Sequence, residues 1–185
     1  MSRHLHVPRS RRNRWVYLLV FGVAFGYVEA AVVYYLRQLI TYRFNNSLRH
    51  YHVLLNLGFI TFVRPLHQIL ISTRIADAEV VRETATMVML AAVALLAARR
   101  PLARLGAFMV GFATWDLAYY WWLRVLIHWP QNLFTKDVFF LIPVTWIGPV
   151  LTPVIISSVL LVVGSWLYLG ETPSDTAIPS AANPQ

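Results

Sequence analysis

The stretch VFFLIPVTWIGPVLTPVIISSVLLVVGSWLYLG, Val138–Gly170, decides the fold, because it is a single apolar block too long for one bilayer crossing. A hydrocarbon core of about 30 Å is spanned by about 20 helical residues. Pro143, Pro149 and Pro153 interrupt the block, and each removes a backbone donor and bends or breaks a helix. It therefore divides into an interfacial or re-entrant piece before about Gly148 and a true span over 150–169.

Working outward, three earlier stretches have the length and apolarity of spans: 15–36 (WVYLLVFGVAFGYVEAAVVYYL), 78–98 and 105–127. The expected fold is all-α, a polytopic transmembrane helical bundle of four spans. Before it lies a basic cytoplasmic N-terminus (1–14), within it an external loop (38–76), and after it a disordered cytoplasmic tail (170–185). Tyr51–Ser72 is long enough to be a fifth span, but Arg64, Pro65 and His67 interrupt its centre. An external membrane-lying helix is the expectation there.

Composition agrees with a membrane setting. The chain is 58% hydrophobic and 13% charged, with mean hydropathy +0.56, which is too apolar for an ordinary soluble domain. The absence of cysteine excludes disulfides, thiolate metal sites and cysteine nucleophiles. Net charge is +8, yet the basic run RSRRNR (Arg9–Arg14) sits directly before an apolar span, so it reads as a positive-inside signal and not as a nucleic-acid site. The apolar run that follows continues through AAVVYYL and reads as a retained anchor, not a cleaved signal. Arg99, Arg100 and Arg104, between the second and third spans, fall on the same side, which puts both termini in the cytoplasm. Neither a glycine-rich phosphate loop nor a nucleophile elbow occurs.

Chemistry is expected where acids meet apolar helices. The chain has only eight acidic residues, and Glu29, Glu79, Glu83 and Asp116 fall within the spans or at their ends. At 1.5 Å rise per residue from the cytoplasmic ends, their heights are about 21, 28, 22 and 16 Å, which places them in one outer-leaflet slab. Glu79 and Glu83 share a helix face with Arg82 one step round, and Asp116, Tyr120 and Arg124 form an i, i+4, i+8 stripe. Gly22, Gly26 and Ala30 make a small-residue ridge, and Glu29 projects within about 60° of it, toward neighbouring helices.

An ionised acid at a span centre costs about 2.5 to 3.5 kcal/mol, so such groups are paired, protonated, cation-bound or wet. The candidate cluster is Glu29, Glu79, Arg82, Glu83, Asp116 and Tyr120, with Tyr119, His128 and Trp146 as further lining residues. If it holds a metal, the expected ligands are Glu29, Glu83 and Asp116. Oxygen donors alone favour a hard divalent cation, and no Glu-x-x-His pair of the di-iron type occurs. The expected function is binding of a cation, a proton or the polar head of a lipid-soluble substrate, in a small transporter or a metal-assisted membrane enzyme. The alternative is a non-catalytic membrane subunit with structural charges, joined to a partner subunit or a second copy through the Gly22/Gly26 ridge.

GYVEAAVVYYLR (Gly26–Arg37), RETATMVML (Arg82–Leu90), WDLAYYWWL (Trp115–Leu123) and DVFFLIPVTWIGPVLTPV (Asp137–Val154) together resemble a family of small, uncharacterised bacterial polytopic membrane proteins. The resemblance covers most of Gly26–Val154 apart from Gln38 to about Ala76. It implies a multi-pass protein of the bacterial inner membrane and brings no activity with it.

Overall fold

A computed structural model of the chain describes residues 9–39, 53–64 and 73–170. Within them lie four helices, α1 (Arg9–Leu39), α2 (Thr73–Ala97), α3 (Pro101–Ile127) and α4 (Leu151–Gly170). Four strands accompany them: β1 (Val53–Asn56), β2 (Thr61–Val63), β3 (Lys136–Phe140) and β4 (Thr145–Pro149). The expected residues 1–8 of the basic N-terminus, the loop parts 40–52 and 65–72 with Pro65 and His67, and the tail 171–185 lie outside the described residues.

Among the described residues three helices are long and apolar enough to cross a membrane: Ser10–Arg37 in α1, Asp77–Ala97 in α2, and α4. Their outer faces are apolar, with Leu96 85% and Val162 70% exposed, the inverse of a water-soluble surface. The 27-residue α3 is not among them. It carries Arg104, Asp116 and Arg124 as well as Trp115, Tyr119, Tyr120, Trp121 and Trp122, and it is the helix against which the others pack.

Glycine explains that packing. A Cβ at Gly22 would lie 2.7 Å from Thr114 Cβ, and one at Gly26 would lie 2.8 Å from Ala118 Cβ and from Trp115 O, so α1 runs alongside α3 in the same direction. On the other side, Gly106 abuts Gly164 and Tyr168, so α4 returns antiparallel. Small residues that let backbones touch gain dispersion contact along both seams. The Gly22/Gly26 ridge, which only the alternative reading turned toward a partner, is therefore filled by α3 of the same chain. α2 completes the alternation with the stripe Glu83, Thr86, Leu90 and Ala94 turned inward, and Tyr168 Oη donates to the carbonyl of Ala97 at 3.1 Å where α2 and α4 both end. That end, with Arg99, Arg100 and Arg104 beside Arg11 and Arg14, is the arginine end of the bundle.

Strands occupy the other end, and they correct the all-α expectation. The sheet is antiparallel throughout in the order β1-β2-β4-β3. Over 53–64 the chain is a hairpin, neither a fifth span nor a membrane-lying helix. Gly58 takes φ +84°, open only to residues without a Cβ penalty, and its N–H donates to the Asn56 side chain at 2.9 Å. The expected re-entrant piece before Gly148 is likewise a hairpin, β3–β4. Its β-branched and aromatic residues pair with each other and with β2, which satisfies backbone groups that prolines deny to a helix. The sheet seats on α4, where Thr152 Oγ1 donates to the Phe59 carbonyl at 3.0 Å.

Gly26→Ala should lower the thermal unfolding midpoint in detergent, overpacking of this kind costing about 1–3 kcal/mol. Gly111→Ala, whose new Cβ would lie 3.8 Å from its nearest neighbour, Leu90 Cδ2, should hold or raise the midpoint, because alanine is the better helix former.

Candidate functional site

At the sheet end the space between α1 and α2 is not filled by either helix. It forms a cavity of about 150 Å³, backed by α3 and bounded by β3. The α1 side presents Glu29 and Arg37, the α2 side Glu79, Arg82, Glu83 and Thr86, and the α3 wall Trp115, Asp116, Tyr119 and Tyr120. From β3 and the residue after it come Asp137, Phe139, Phe140 and Leu141.

Each carboxylate has a partner within the protein. Arg82 Nε and Nη2 donate to Glu79 Oε2 at 2.9 and 2.7 Å, and Nη1 reaches Glu29 on the neighbouring helix. Glu83 accepts the backbone N–H of Leu141 on both oxygens, at 2.9 and 3.2 Å, and so ties α2 to the end of β3. Ser157 Oγ on α4 donates to Asp116 at 2.7 Å. Tyr120 Oη donates to Asp137 at 3.1 Å. Arg37 also holds its guanidinium 4.2 Å from the centre of the Trp129 ring, a cation–π contact.

All six residues of the expected cluster, Glu29, Glu79, Arg82, Glu83, Asp116 and Tyr120, line this one cavity, and Tyr119 joins them. Two expected lining residues do not. His128 adopts φ 55° as the C-cap of α3 and donates its N–H to the Arg124 carbonyl at 3.1 Å. Trp146 packs its ring against Phe62 and Phe140 on the sheet, with centroids 5.1 and 5.8 Å away. Arg124 leaves the stripe it shares with Asp116 to bond the carbonyls of His128 and Pro130, at 2.8 and 3.1 Å. Among the described residues no group of three or more His, Asp or Glu side chains is placed to hold a metal ion. Glu29, Glu83 and Asp116 thus share a cavity without closing into a ligand set.

Sequence reasoning missed Asp137, Arg37 and Ser157. Asp137 lies in what reads as an external link, and only strand pairing of β3 with β4 carries it back over the helices. Its scarcity as one of eight acids was the available signal.

Asp137, on the sheet and outside the helices, is 9% exposed. Burial pushes its carboxyl up from the usual aspartate range to about 7, against the opposing pull of Arg37, the Tyr120 hydroxyl and the Val138 N–H, with Asp116 adding to the rise. The folded form therefore holds a proton that the unfolded chain releases near pH 4. Stability from this group is complete below about pH 4 and is lost as pH rises through about 7. Asp137→Asn should flatten that fall in the unfolding midpoint measured between pH 4 and pH 8.

Comparison with protein-family models, curated proteins and solved structures finds no match to this chain.

Proposed function

We propose that the chain is a four-span protein of the bacterial inner membrane, with α3 as the remaining span and both termini cytoplasmic. Its cavity is an outward-facing site that binds a cation or the cationic head of a lipid-soluble substrate, in a small transporter or membrane enzyme. One observation carries this reading: five of the eight acidic residues in a chain of net charge +8 line a single cavity, against two arginines. Three formal negative charges are left over there. Each unpaired acid in a span costs about 2.5 to 3.5 kcal/mol, so a cationic guest or bound protons complete the site. The arginine end supports the orientation, since positive charge gathers on the cytoplasmic side.

A second reading is favoured by the hydrogen-bonding itself. All five acids have partners in the protein, as a register clamp inside a non-catalytic membrane subunit would require. Such a subunit would meet its partner on a face other than the Gly22/Gly26 ridge.

Thermal unfolding of the purified protein with protons, Mg²⁺, Ca²⁺, tetramethylammonium and dodecylammonium separates the two. A ligand at a hundred times its Kd stabilises by about 2.7 kcal/mol. At least one cation should raise the midpoint of the wild type, and Glu83→Gln and Asp116→Asn should remain folded while losing that rise. No shift with any cation, together with loss of folded protein in both variants, would establish the clamp instead.

A further inference from the structure

We infer that the ligand is an amphipath with an ammonium head, taken sideways from the outer leaflet through the seam between α1 and α2, and that Arg82 is the group it displaces. This rests on the reading of the cavity as a cation site and names its substrate class and route.

The route follows from how the helices touch. α1 packs closely on α3, and α3 on α4, but α1 and α2 do not pack on each other in this way. Among the described residues the two helices are joined across the cavity by the Arg82–Glu29 ion pair. Within that trio the arginine side chain is 29% exposed, against 13% for Glu29 and 14% for Glu79, so Arg82 is the member most open to the surroundings. A gap between two membrane-crossing helices opens toward lipid. Its depth, about 22 Å above the arginine end for Arg82 and Glu83, is that of the outer leaflet.

The chemistry of the ligand follows from the walls. Trp115, Tyr119, Tyr120, Phe139 and Phe140 give an aromatic lining, whose ring faces attract a cation as the carboxylates do. An anionic head would meet a surplus of acids, whereas an ammonium adds the positive charge that five acids and two arginines leave wanting and competes with the Arg82 guanidinium for Glu29 and Glu79. The apolar tail remains in the bilayer, so the cavity of about 150 Å³ need hold only a head group.

The chain has no cysteine, so a single one reports its own position. Val33→Cys and, as a second variant, Leu36→Cys both line the α1 side. In nanodiscs a fluorophore at either site should be quenched by doxyl-labelled lipids more than by aqueous iodide. Dodecylammonium should slow reaction of the cysteine with a lipid-soluble maleimide at least tenfold, dodecyl sulfate should not, and Glu29→Gln should remove the protection. Arg82→Gln should speed the reaction several-fold. Quenching by iodide alone would overturn lateral entry, and equal protection by dodecyl sulfate would overturn the ammonium. Protection by tetramethylammonium without dodecylammonium would remove the amphipath yet leave the cation site standing. Protection by no cation at all would remove both.

Discussion

Glycine lets α3 touch α1 on one side and α4 on the other, and the remaining placements depend on that double approach. At Gly22 and Gly26 the α1 backbone meets Thr114, Trp115 and Ala118, and at Gly106 and Gly164 the same helix meets α4. No hydrophobic drive brings helices together within lipid, so dispersion contact between backbones this close must do so. The consequence is positional. Trp115 and Asp116, carried on the buried face of α3, are fixed between α1 and α4, and Ser157 comes within 2.7 Å of Asp116.

α2 is held differently. Its half toward the arginine end sits on α3 through Leu90 and Ala94, while its half toward the sheet is tied to α1 through the Arg82 ion pair and to Leu141, just after β3, through Glu83. A helix fastened by apolar contact at one end and by ion pairs at the other has its weaker attachment where the cavity lies. Ion pairs respond to protons and competing cations, and packed methyl groups do not.

The sheet closes the assembly from the end opposite the arginines. Thr61–Val63 pairs with Thr145–Ile147 across nearly half the length of the chain, and Val63, Thr145 and Ile147 are all buried. Because β3 is the far strand of this sheet, its Asp137 and Phe140 reach over α3, where Tyr120 and Phe112 receive them. An irregular loop could not hold Asp137 there without leaving backbone groups unpaired, and the ladder removes that difficulty.

By itself the sequence determined the helices and the polar cluster. Runs of about 20 apolar residues allow little else than helices, and acids too costly to face lipid must turn toward one another, so Glu29, Glu79, Arg82, Glu83, Asp116 and Tyr120 were legible as one group. The hairpins over 53–63 and 136–149 were not, because apolar β-branched and aromatic residues broken by proline and glycine read equally as interfacial helix. Only pairing between segments far apart in the chain separates the two. Tertiary structure alone decided that the Gly22/Gly26 ridge is filled from within, that His128 ends a helix, and that Asp137 and Arg37 join the cavity. Each of these depends on which surfaces meet across the fold, and helix periodicity specifies a face without naming what lies opposite it.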